Sequence, residues 1–124
     1  MLNLKKLLTK VLTAVTVTEG TGTVASIYSS ASVRVCRLTK VGNVVHMQLS
    51  LYVNSTTNLT QNESLFNIPA AFRPKSRTSV PAVLTRTESN GGVLPSALVI
   101  ETNGNILMTN GAVRGAFCSA TWTI

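Results

Sequence analysis

The chain has 124 residues, enough for one hydrophobic core and too few for two domains. Hydrophobic residues make up 44% and charged residues 12%, and Thr, Ser, Asn and Val dominate, a composition that suits strands and turns. The net charge is +7, but the bases are dispersed from Lys5, Lys6 and Lys10 through Arg34, Arg37, Lys40 and Arg86 to Arg114. Only Arg73, Lys75 and Arg77 cluster, with no interleaved stacking aromatic. That pattern argues against nucleic-acid binding and leaves a general attraction to anionic surfaces such as acidic cell-wall polymers.

No run of 18 apolar residues occurs, so no membrane insertion is expected. Residues 1–18 read as an amphipathic helix. Leu4, Leu8, Val11 and Val15 form its apolar stripe, and Lys6, Thr9, Lys10 and Thr13 form the opposite face. Thr9 and Lys10 interrupt the apolar run, so it reads as structure and not as a targeting segment. About four helical turns are marginal alone in water. The stripe therefore needs a partner, and an oligomerisation or tethering role is expected.

Residues 19–31, with Gly20 and Gly22, read as a linker and extended arm. Residues 32–124 read as the folded domain. Strand patterns occur at 32–40, 44–53, 64–68, 78–85, 96–102, 105–109 and 115–124, and 23–28 reads as a short strand or extended arm. Turn signals separate them at Gly42-Asn43, 89–92, Asn103-Gly104 and Asn110-Gly111. Pro81 places its strand at an edge or a bulge. Along 44–53, Val45, Met47, Leu49, Leu51 and Val53 form one apolar face, with Val44, His46, Gln48, Ser50 and Tyr52 opposite. The last strand alternates Ala116, Cys118, Ala120, Trp122 and Ile124 with Phe117, Ser119, Thr121 and Thr123. About eight short strands at this spacing predict an all-β protein, an antiparallel β-sandwich preceded by a short N-terminal helix.

Chemistry-bearing residues are few. His46 is the only histidine, no Asp exists to orient it, and Cys36 and Cys118 do not complete a zinc set. A strand-face position, exposed or at a subunit interface, is the expectation for His46. Cys36 and Cys118 are either two buried thiols or a disulfide closing a long loop, which adds roughly 4 kcal/mol in the chain-entropy model. The four Glu residues carry no motif, and no metal, cofactor or catalytic set is expected. Trp122 reads as a core anchor. Tyr28 and Tyr52 read as exposed aromatic contacts, Tyr52 on the mixed face of its strand. With Asn90, Asn103 and Asn105 in amide-rich turns, Tyr52 makes up the expected ligand-binding set.

The ordered segments KVGNVVHMQLSLYV, SLFNIPAAFRP, LVIETNGNILM and FCSATWTI give the chain a resemblance. It resembles the C-terminal receptor-binding head modules of tail-fibre and baseplate proteins from phages of Gram-positive bacteria. The resemblance covers residues 33–124. It implies a trimerising antiparallel β-sandwich, a helix serving as stalk or tether, recognition of a host cell-surface glycan, and contacts with other virion proteins. Under it the location is the virion, and Leu4, Leu8, Val11, Val15 and His46 are the expected subunit contacts. Two other readings are a structural tail, baseplate or capsid-fibre protein without a glycan site, and a polysaccharide-acting enzyme using Glu88 and Glu101.

Overall fold

The computed structural model describes residues 16–53, 58–85, 92–109 and 112–124. The expected helix stripe Leu4, Leu8, Val11 and Val15 lies outside the described residues, as do Glu88 and Asn90. Nine strands follow: β1 Val17–Thr21, β2 Thr23–Val24, β3 Val33–Val41, β4 Val44–Tyr52, β5 Ser64–Asn67, β6 Thr78–Thr85, β7 Val93–Ile100, β8 Asn105–Met108 and β9 Gly115–Thr123. They form one antiparallel sheet in the order β1-β3-β4-β9-β6-β7-β8-β5-β2.

The fold is all-β, as the strand spacing predicts, but it is not a two-sheet sandwich. The sheet curls until its edge strands, β1 and β2, are separated only by Gly22. The Gly22 N–H donates to the Cys36 carbonyl at 2.9 Å. A Cβ on Gly22 would lie 2.6 Å from Cys36 Sγ, so the chain crosses here without a side chain. The result is a nearly closed barrel, and closure removes most of the free sheet edge. Residues 19–22, read as a linker, are thus part of the wall, as are Val17 and Thr18, which the expected helix had included, and Thr23–Val24, read as a short strand or extended arm. The glycines at 20 and 22 hid the strand that ends at Thr21.

The core follows from period-2 alternation. Val45, Met47, Leu49 and Leu51 on β4 are at most 1% exposed. Across the ladder, Met47 faces Ala120, Leu49 faces Cys118 and Leu51 faces Ala116. Large side chains on β4 therefore meet small ones on β9, which lets the interior interdigitate. The exception is Val45 opposite Trp122, at one end of the barrel.

That end is closed by the Pro-flanked segment. A 3₁₀ turn, Ala70–Phe72, offers the Phe72 carbonyl to Trp122 Nε1 at 2.8 Å and the Ala71 carbonyl to Lys40 Nζ at 3.1 Å. The Lys40 ammonium stands 5.9 Å from the centre of the Phe72 ring. Arg73 donates through Nε to the Ile68 carbonyl at 2.8 Å and through Nη2 to Asn67 Oδ1 at 3.2 Å. The segment's arginine is therefore structural.

Tyr28 departs from its expectation as an exposed contact, being 1% exposed in a 3₁₀ turn, Ser26–Tyr28. Its hydroxyl donates to Glu63 Oε2 at 3.0 Å and accepts from the Thr60 N–H at 3.1 Å. Burial pushes this phenol above its ordinary pKa. Trp122, at 6% exposure, is the core anchor expected.

Pro81 lies in the middle of the strand order, not at an edge, yet its prediction has a local basis. The β6–β9 ladder runs only from Val83 opposite Phe117 to Thr85 opposite Gly115. Beyond it β6 pairs with β7 alone, so Pro81 stands where no ladder bond to β9 is required. The Pro81 carbonyl accepts from Cys118 Sγ at 3.2 Å instead.

Candidate functional site

The outer wall of the barrel carries the one aromatic surface that the register brings together among the described residues. Ser50, Phe117, Val83 and Pro95 form one cross-strand row on β4, β9, β6 and β7. The next row is Tyr52, Gly115, Thr85 and Val93. Gly115 decides what happens between the two. A Cβ there would come within 2.9 Å of Tyr52 Cδ2 and 3.0 Å of Phe117 Cε2. Both half-buried rings therefore lean over the same bare backbone and form a continuous apolar platform.

A groove opens beside the platform where β6 and β9 part. Its volume is about 590 Å³. Gln48, Ser50, Ser96 and Ser119 supply amide and hydroxyl groups, and Pro81, Val83, Pro95 and Phe117 supply apolar walls. An aromatic surface edged by a few neutral polar groups can stack a sugar ring and hydrogen-bond its hydroxyls. No group of three His, Cys, Asp or Glu able to hold a metal occurs among the described residues.

The expected binding residues are not assembled into one place. Tyr52 belongs to the platform. Asn103 lies in the turn after β7 and Asn105 opens β8, whereas the platform stands level with the start of β7. Their amides hold the turn: Asn103 Oδ1 accepts from the Asn105 N–H at 3.1 Å, and Asn105 Oδ1 accepts from Asn67 Nδ2 at 2.9 Å. Phe117, Gln48 and Ser119 line the groove beside Tyr52 and were not singled out from the sequence. The available signal was Phe117 on the polar face of the last strand, and only the β4–β9 register sets it beside Tyr52.

His46 is exposed on the outer wall, its Nδ1 3.2 Å from Thr121 Oγ1. Next to it, Val17, Val41 and Val44 stand in one row across β1, β3 and β4 and are 60%, 42% and 44% exposed. The Gly42 N–H donates to the Thr16 carbonyl at 3.2 Å, so residues 1–15 join the barrel beside this row.

The register also resolves the cysteines. Cys36 and Cys118 both face inward and flank Leu49 in one row, with a strand between them. Two strand spacings are roughly 9.5 Å, beyond the ~7 Å that a disulfide spans. Both are buried free thiols. Burial raises each from its ordinary 9.0 to about 11. Because the folded-state value is the higher, the thiols' contribution to stability is complete below about pH 9. It is lost as pH climbs toward about 11. Urea unfolding at rising alkaline pH is expected to show this loss, and a Cys36→Ala/Cys118→Ala variant should show less of it. A thiol reagent should label neither residue at neutral pH until the chain unfolds.

No protein-family model matches the chain, and no curated protein matches it either. The wall must therefore be read from its own chemistry.

Proposed function

We propose that this protein is a non-catalytic, saccharide-binding adhesion module of a phage virion, of the tail-fibre or baseplate receptor-binding kind. The observation that carries the reading is the Tyr52–Phe117 platform over Gly115, edged by Gln48, Ser50 and Ser119. Its placement supports an adhesive tip. Residues 1–15 join beside Val44, and the platform begins six residues further along β4, about 20 Å at the usual rise per residue. A tether at one end and a sugar surface toward the other is the arrangement an attachment module needs.

The test is a glycan array read with the full chain and with Phe117→Ala. The full chain should bind a saccharide class. The variant should bind it at least tenfold more weakly, since one stacked ring contributes about 1.4 kcal/mol. Phe117 is half-buried on the outer wall, so the variant should keep its circular dichroism. A chain that binds no glycan, or a Phe117→Ala variant that binds as well as the parent, defeats the reading. The structural virion protein without a sugar site would then be preferred.

Assembly as a homotrimer belongs to the same proposal, with residues 1–15 as the stalk and the Val17, Val41, Val44 and His46 region beside it. Three linked weak sites would raise avidity without any new contact. Light scattering should give a trimer for the full chain and a lower mass for a chain starting at Thr16, a cut that spares β1. His46→Glu should weaken the trimer, because it sets an acid among the exposed valines.

A further inference from the structure

The chain's charge suggests an anionic ligand, yet the groove points elsewhere. Among the described residues its lining has no ionisable side chain except the Cys118 thiol, which is turned to the Pro81 carbonyl. The polar groups that remain are neutral: the Gln48 amide and the hydroxyls of Ser50, Ser96 and Ser119. The apolar part is not a single ring. Val83 lies opposite Phe117 on one side and Pro95 on the other, and Pro81 stands two residues along the same face of β6. Val83 is 44% exposed and is held between rigid prolines, which form a firm apolar notch beside the platform. A ring bearing only hydroxyls would set polar groups against that notch and gain nothing from it.

We infer that the saccharide taken by this groove is uncharged and carries a methyl-bearing substituent, an N-acetyl or 6-deoxy group, which lodges against Val83, Pro81 and Pro95. This rests on the saccharide reading of the Tyr52–Phe117 platform and narrows it to a ligand class. The ring stacks on Phe117, its hydroxyls meet Gln48, Ser50 and Ser119, and the methyl group fills the notch. No Lys or Arg lines the groove among the described residues. On the row nearest the groove, Arg37 is on β3, one strand beyond Gln48.

Calorimetric titration of the full chain tests the class with five probes: glucose, glucuronic acid, N-acetylglucosamine, fucose and N-acetylgalactosamine. At least one methyl-bearing sugar should bind about fourfold or more tighter than glucose, the gain from burying one methyl group. Glucuronic acid should bind no better than glucose. The leading affinity should change less than twofold between low and high salt, since no ion pair is made. Val83→Ser, an exposed position, should erase the preference for the methyl-bearing sugar over glucose. Two results separate the levels of the argument. If glucuronic acid binds tightest, or Val83→Ser leaves the preference intact, the ligand class is wrong and the platform reading stands. If no probe binds and Phe117→Ala changes nothing on the glycan array, the platform reading falls and the class falls with it.

Discussion

Trp122→Ala is expected to lower the unfolding free energy by about 3–5 kcal/mol, a large part of the stability of a domain this size. The indole lies opposite Val45 at the end of the barrel and is 6% exposed. Its removal leaves a cavity beside the 3₁₀ turn and strips the Phe72 carbonyl of its 2.8 Å donor. Trp122→Phe separates the two terms, because it keeps most of the volume and loses the bond. That milder variant should lose about 1–3 kcal/mol, the cost of an unsatisfied buried acceptor. Trp122 is the only tryptophan, so far-ultraviolet circular dichroism in urea is the measurement to use. A loss below 1 kcal/mol for Trp122→Ala would mean that the Phe72 turn does not close this end of the barrel.

Gly104→Ala should cost about 2–4 kcal/mol, combining left-handed backbone strain with overpacking. Gly104 has φ +92, and a Cβ there would meet both the Ile68 carbonyl oxygen and Arg73 Nε at 2.5 Å. The Ile68 oxygen is backbone and cannot swing aside. The Gly104 carbonyl also accepts from the Ile68 N–H at 2.9 Å, so the β7–β8 turn is bolted to the loop that closes the barrel. Gly42→Ala is the matched control. Gly42 has φ +59 and nothing within 4 Å of its Cβ position, so it should lose only about 1 kcal/mol. Equal losses at the two sites would show that backbone conformation alone, and not the contact with Arg73 and Ile68, sets the cost.

Much of the wall was legible because its signal is local. Alternation along Val44–Tyr52 and Gly115–Thr123 gives both the strands and their inward faces, and turn glycines mark their ends. Pro81 even reported the place where β6 leaves β9. What stayed hidden depends on pairing between distant segments. β1 carries Gly20 and runs into Gly22, so it read as the end of a helix and a linker, while Thr23–Val24 read as a short strand or extended arm whose pairing stayed hidden. Closure into one barrel, as against two stacked sheets, is likewise decided by which strands become neighbours. The site divides in the same way. Tyr52 was found from the mixed face of its own strand. Phe117 was not, because its neighbour is 65 positions away in sequence and is supplied only by the Tyr52–Gly115 register. Asn103 and Asn105 stand apart from Tyr52, with their amides bonded within and beside the turn, a role that sequence alone does not separate from ligand binding.

The pairing of β4 with β9 also sets the order in which the protein can be made. Val44 pairs with Thr123, so the strand with the purest apolar face gains its second neighbour from the last of the described strands. The β3–β4 hairpin can form early, since a short turn joins its strands. Until β9 arrives, one flank of β4 has no partner, and Val45, Met47, Leu49 and Leu51 lack the small residues that lock them. A nascent chain stalled anywhere before Trp122 would present an open, sticky strand edge to the cell.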